Sequence, residues 1–265
     1  MARAPRDHDP RITVIQQELF DERRSKVDKY RDLVIGRPGL GPLVAYELVM
    51  LTASWVPGAL GLFLRSKLFP LILGRVGRNV VFGANVTLRH PHKIVIGDNV
   101  VIDDGCCLDA KGTDNRGIEI GSGVFIGRNT ILSCKNGDII IEDHANLGFN
   151  CEIFSGSRVR IGKRILMAAY TYLVGGDHLY DRTDIPVLDQ GRTAQGIDVD
   201  DHVWLGAHVV VTDGARIGRD AIIGAGAVVV GEIPEFAIAT GIPAKVRRDR
   251  RDGGPVSGGA GAVTE

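Results

Sequence analysis

Aromatic side chains are scarce: Phe, Tyr and Trp make up 6% of the 265 residues. A conventional mixed core draws heavily on large rings, so this interior must be built otherwise. The 35 glycines, beside abundant Val and Ile, point to short stacked strands joined at tight corners. Net charge is lacking as well, with 32 Lys and Arg against 32 Asp and Glu. That balance argues against a bulk-cationic nucleic-acid binder. The four cysteines, Cys106, Cys107, Cys134 and Cys151, contain no CxxC pair, and no His/Cys spacing suits zinc. No metal is therefore expected. Residues 1–24, MARAPRDHDPRITVIQQELFDERR, lack the apolar stretch of a signal peptide. A reducing, cytoplasmic setting is the expectation.

The N-terminal quarter divides by composition. Residues 11–35 read as a charged helix with Ile12, Ile15, Leu19 and Phe20 on one side, and GRPGLGP at 36–42 reads as a breaker. Together they form a first segment, 1–42. Residues 43–75 form an apolar helical segment. Its length would suffice to cross a membrane, but Glu47 lies within it and Pro57-Gly58 interrupts it. Two readings stand: helices packed against the following domain, or a peripheral membrane contact through residues 43–73, helped by Arg65 and Lys67.

From residue 76 the chain keeps a sixfold beat. Val199, Leu205, Val211, Ile217, Ile223 and Val229 lie six apart, and four positions after each stands Val203, Val209, Ala215, Ala221, Ala227 or Ile233. Earlier pairs obey the same rule: Val76/Phe82, Ile96/Ile102, Ile120/Ile126, Ile141/Leu147 and Ile161/Met167. Such self-similarity predicts a solenoid, each coil burying its face only against its neighbours. The first members of the pairs are separated by 20, 24, 21 and 20 residues, which suits three hexads per coil with small insertions at one corner. Cys106 and Cys151 occupy the small position four after the aliphatic, so they are expected as interior packing residues rather than nucleophiles.

The step from Ile161 to Val199 is 38, two residues more than two 18-residue coils. A loop must leave the solenoid within 174–196, where VGGDHLYD places His178 between Asp177 and Leu179-Tyr180. Long excursions from a rigid scaffold often carry function. An isolated surface histidine without a role is the bland alternative, and His202 and His208 fall at outward hexad positions of that kind. A second feature is a ledge of small residues. In WLGAH and IGAGA, Gly206/Gly224 and Ala207/Ala225 lie 18 apart, one coil. These residues permit tight coils in any case, and they also leave an outward groove. A third is the basic close, ATGIPAKVRRDR at 239–250.

These hexads, with VWLGA at 203–207 and the Pro186 and Gly196 that follow His178, resemble the hexapeptide-repeat acyltransferases, in particular the O-acetyltransferase branch acting on sugars and xenobiotics. The resemblance spans residues 76–245. It implies a mainly β fold, a left-handed parallel β-helix; the N-terminal helical extension and the charged, Gly-rich tail over 246–265 lie outside the resemblance and are read from composition. It implies acetyl-CoA as acyl donor, His178 as general base toward an acceptor hydroxyl, and direct attack on the thioester. It places the pantetheine arm along Trp204, Gly206, Ala207, Gly224 and Ala225, with Lys245 and Arg247 toward the CoA phosphates. Asp177 would orient the base or bind the acceptor. Tyr170 stands where several sugar-acetylating members carry Asn, so the acceptor site departs from theirs. The resemblance further implies a homotrimer in which the histidine loop of one chain meets the 204–207 ledge of its neighbour. Two rival readings remain. One is a γ-type carbonic anhydrase on the same solenoid, using His144 and His178 as metal ligands. The other is a non-catalytic, membrane-docking scaffold.

Overall fold

The computed structural model describes residues 25–253. Expectations for residues 1–24 and 254–265 lie outside the described residues.

From residue 75 onward seven coils carry three short parallel strands each and an eighth carries two, and successive coils stack strand on strand. Three sheets result. Face A runs from Arg75–Val76 to Glu232–Ile233 in eight strands. Face B begins at Val81–Phe82 and ends, after Ala237–Thr240, with an antiparallel ninth strand, Lys245–Asp249. Face C stacks seven strands from Thr87–Arg89 to Val228–Val229. The result is a parallel β-helix of about eight turns, mainly β with helices at its N-terminal end.

The sixfold beat is the inward column of this prism. Val199, Leu205, Val211, Ile217, Ile223 and Val229 are all buried, as are the small residues four positions on. The interior is close-packed aliphatic with Phe82 as its one large ring, and the edge-to-face Phe69–Phe82 pair, 5.2 Å between centroids, closes the N-terminal end. Glycine sets the coil spacing where the backbones of neighbouring corners nearly touch. A Cβ on Gly206 would come within 2.6 Å of the Ala225 amide nitrogen. Cys106, Cys134 and Cys151 are buried among these side chains, and burial pushes the Cys106 thiol up to about 11 and raises the other two. A thiol held protonated is a poor nucleophile, which agrees with the packing role expected for Cys106 and Cys151.

The apolar segment forms helices that cover the first coils. Helix α1, Lys26–Tyr30, runs on through a π-helical turn, Arg31–Ile35. Helix α2, Leu40–Val49, continues as a second π turn, Met50–Ser54, and α3 spans Gly58–Leu68. The breaker is therefore shorter than 36–42: Gly41 and Pro42 lie in the first turn of α2, where a proline forfeits no helical bond. Arg65 does not support a membrane contact either. It is 2% exposed and donates to Phe82 O at 2.8 Å, Ala53 O at 3.1 Å and Val56 O at 2.7 Å. The guanidinium joins the break between α2 and α3 to the first coil. The Tyr46 hydroxyl adds a second tie, donating to Leu88 O at 2.8 Å.

At the other end, the tail expected from 246 starts later. Residues 246–249 belong to the antiparallel strand, with Arg248 opposite Ile238 and Asp249 opposite Ala237, followed by the 3-10 turn Arg250–Asp252. This strand covers the open edge of face B, a common way of protecting a β edge.

Candidate active site

His178 owes its position to a break in the coil after face C. The strand Tyr172–Gly175 keeps full register with Glu152–Ser155, so Val174 and Gly175, expected in the loop, are still strand. The chain then departs and folds back as a two-stranded antiparallel hairpin, Asp177 opposite Thr193 and His178 opposite Arg192. The tip is tied by Gln190, whose Nε2 donates to Arg182 O at 2.6 Å and to Ile185 O at 3.1 Å. Gly191 and Gly196 take left-handed backbone at φ 99° and 91°, and the coil resumes at Ile197–Val199 against Val159–Ile161.

Behind the hairpin lies a cavity of about 550 Å³. Phe154, Tyr172 and Val174 give it an apolar floor on the outside of face C, and His178, Lys135 and Arg192 line its polar wall. The imidazole Nδ1 is buried and has no hydrogen-bond partner. Asp177 also lines the cavity, but its Oδ1 accepts the backbone N–H of His178 at 2.7 Å. It therefore fixes the hairpin backbone and makes no bond to the ring. Lys135, Arg192, Phe154 and Tyr172 carried no motif signal. Only the coil register, which stacks Phe154 on Val174 and Glu152 on Tyr172, brings them to the histidine.

The ledge lies elsewhere on the prism. Trp204 stands on the outside of face B opposite Ile222 and is 47% exposed. At the corner leading from face B to face C, Gly206 stacks over Ala225, and a Cβ on Gly224 would meet Thr240 Cγ2 at 2.7 Å. The ledge thus does what tight coils require, and Ala225 beside it is exposed. The basic strand closes its far end: Lys245 pairs with Thr240, and Arg247 Nε donates to Thr240 Oγ1 at 2.9 Å. Trp204, Gly206, Ala207, Gly224, Ala225, Lys245 and Arg247 therefore share one edge of the molecule.

Tyr170 sits on that same edge, not in the His178 cavity. Its ring stacks on His208 one coil above, with centroids 4.9 Å apart and planes at 2°. Both residues hold left-handed backbone, φ 62° and 58°, in a corner column where Asn85, Gly105, Asn129, Asn150 and Gly226 do the same. Asn and Gly tolerate that conformation, whereas other side chains incur about 1–2 kcal/mol. An exposed aromatic stack is thus held at a site of backbone strain.

The ledge and the histidine lie at opposite ends of one face C strand. Four residues, Tyr172–Gly175, separate the two corners, roughly 13 Å at strand rise. One chain therefore does not bring Trp204 and His178 together. His144 and His178, the pair a shared metal would use, occupy different corners of the coil. His144 is in a left-handed turn after face A. Among the described residues no three His, Cys, Asp or Glu are grouped to hold a metal ion.

Comparison with known proteins agrees with the repeat reading. The family model described as a hexapeptide repeat of succinyl-transferase matches residues 75–110, 138–170 and 196–230. A probable acetyltransferase of Mycobacterium tuberculosis is 35% identical over 164 residues, 62% of this chain and 54% of that protein. Galactoside O-acetyltransferase of Escherichia coli is 32% identical over 137 residues, 50% of this chain and 57% of that protein. Its counterpart from Lactococcus lactis is 28% identical over 160 residues, 59% of this chain and 63% of that protein. The chain thus spans between half and two-thirds of the length of these relatives. The inward hexad column, the glycine-spaced corners and these matches together show a solenoid of hexapeptide repeats that is similar, over those repeats, to acetyltransferases.

Proposed function

We propose that this chain is a CoA-dependent O-acyltransferase, most simply an acetyltransferase, acting on a hydroxyl of a sugar or glycan. The observation that carries this reading is His178 on its hairpin, lining a cavity with an aromatic floor. An alcohol attacks a thioester poorly unless its proton leaves during attack, and an imidazole, ordinarily titrating near 6.5, suits that task. The acceptor oxygen bonds to the acyl carbon, the C–S bond breaks, and the proton taken by His178 passes to the departing CoA thiolate. Outward backbone N–H groups at the Ala207 and Ala225 corners are the donors on offer to the developing oxyanion. The names of the relatives support acetyl as the group and, for two of them, a galactoside acceptor. Phe154 and Tyr172 offer the flat apolar faces against which sugar rings pack.

The separation of histidine and ledge supports a homotrimer in which the site forms between chains. Each His178 hairpin would face the neighbour's Trp204–Ala207 ledge and its Tyr170–His208 stack. A complementation test follows. Ala225→Trp, which places a ring on the exposed ledge, should abolish acetyl-CoA binding, and His178→Ala should abolish turnover. Trimers mixed from the two inactive variants should recover a measurable fraction of wild-type activity, because some interfaces pair an intact histidine with an intact ledge. Mixed trimers that stay dead would place both elements of each site in one chain.

The helical layer supports a peripheral contact with an anionic bilayer. Leu40, Val44, Leu48, Leu51 and Trp55 fall on one outward stripe of α2 and its π turn, each more than half exposed, and Phe63 adds to it from α3. Polar side chains on this surface turn back onto the helix: Thr52 Oγ1 donates to Leu48 O, Trp55 Nε1 to Leu51 O, and Ser66 Oγ to Phe63 O. Arg37, Lys67 and Arg75 are exposed cations of the same N-terminal region. Among the described residues no helix is long and apolar enough to cross a membrane alone. An interfacial seat fits that geometry. In flotation, the protein should rise with phosphatidylglycerol-containing vesicles, and replacing Leu48, Leu51 and Trp55 with Ser should cut recovery by about tenfold or more. Equal recovery of both proteins would remove the bilayer from the reading.

A further inference from the structure

Neither general-base chemistry nor donor binding explains why the wall of the His178 cavity is cationic. Arg192 is directly opposite His178 in the antiparallel hairpin, and cross-strand partners project from the same face. Lys135 faces them from the coil corner two turns earlier, half-buried, with its backbone N–H donating to Ser155 O at 2.8 Å. Among the described residues, neither side chain has a carboxylate within ion-pairing distance.

The carboxylates nearby are already committed. Asp138 Oδ1 accepts the backbone N–H groups of Arg116 and Gly117, at 2.7 and 3.0 Å. Asp177 Oδ1 accepts from His178. The third cation on the wall, Arg158, is held by Asp198 at 2.9 Å. One coil down, the buried Asp109 is shared between Lys111 and Arg89, each at 3.6 Å. Desolvation, with Lys111 alongside, already holds the Lys135 ammonium below its usual range. Cations stacked at successive corners without matching acids are costly to hold together, and they are expected where an anion completes the set.

We infer that Lys135 and Arg192 form an anion subsite beside His178, and that the acceptor carries a phosphate or carboxylate group near the hydroxyl that is acylated. This rests on the acyl-transfer reading of the cavity. The subsite would anchor the charged group at the Lys135 corner, lay the ring across Phe154 and Tyr172, and present a hydroxyl to the imidazole. A neutral galactoside would then be a poor acceptor for this chain.

The test is equilibrium binding to the full-length protein by calorimetry, using glucose 6-phosphate, glucuronate and methyl glucoside as probes, with acetyl-CoA titrated separately. Either anionic probe should bind about tenfold or more tightly than the neutral one, as a pair of charge-assisted contacts allows. The relative affinity of phosphate and carboxylate identifies which group the site takes. Lys135→Met with Arg192→Met should abolish the preference, while Lys135→Arg should keep it. Acetyl-CoA affinity should stay within about twofold of wild type in all variants. No preference for either anionic probe, or a preference surviving in the double variant, overturns the inference. A parallel loss of acetyl-CoA affinity in the double variant also overturns it, by reassigning the cations to the donor's phosphates. A wild-type protein that does not bind acetyl-CoA would instead sink the acyl-transfer reading itself.

Discussion

Alanine in place of His178 is expected to lower kcat by about 10²–10⁴-fold, the range that a positioned general base contributes. Acetyl-CoA should bind as before, because the ledge lies at the other end of the Tyr172–Gly175 strand. The fold should be intact as well, since the ring makes no hydrogen bond within the chain through Nδ1 and its backbone bonding survives the change. The measurement is steady-state CoA release with a hydroxyl acceptor, together with a melting curve. A variant that turns over within threefold of wild type would remove the imidazole from the chemistry. A lowered melting temperature would make the histidine structural. His202→Ala serves as the comparison, because His202 is exposed, sits beside Asp220 and lies outside the cavity.

Arg65→Met is expected to have the largest effect on stability. One buried guanidinium serves three carbonyls, on Phe82, Ala53 and Val56. Methionine fills much of the volume but donates nothing, so three acceptors lose their partners in a region with little water. Unsatisfied buried groups cost about 1–3 kcal/mol each. With partial relaxation the total should be about 3 kcal/mol, lowering the melting temperature by roughly 6–12 °C for a domain of this size. Calorimetry reads this directly. Arg65→Lys should recover only part, because an ammonium cannot span three carbonyls with a planar fork. A shift below about 2 °C would mean that the helices sit on the first coil by apolar packing alone.

The solenoid was legible because its physics is local and periodic. Each coil repeats the same demand, an aliphatic inward and a small residue at the turn, and each repetition leaves a mark at a fixed spacing, as in Leu205, Val211, Ile217 and Ile223. The departure at His178 was legible only as a broken beat: the 38-residue step from Ile161 to Val199, read as two coils and two residues, is a single coil, because Ile161 pairs directly with Val199 and the surplus is the hairpin excursion. Its start was misplaced by two residues because Val174 and Gly175 satisfy face C pairing without any hexad residue to announce it. The breaker at 36–42 was drawn too long because Gly41 and Pro42 are tolerated in the first helical turn. Arg65 looked like a surface cation because charge is visible in sequence and the three carbonyls that hold it are not.

By itself, then, the sequence determined a three-faced repeat, its inward column, the loop that carries His178 and the small-residue ledge, because all of these are encoded by spacing along the chain. Only the tertiary structure decided which residues share the histidine's cavity. Lys135, Phe154, Tyr172 and Arg192 lie up to 57 positions apart, and they meet because stacking aligns one corner of successive coils and the hairpin folds Arg192 back onto His178. Tertiary structure also decided that the ledge and the histidine do not meet within one chain, because the rigid face C strand holds them a strand's length apart.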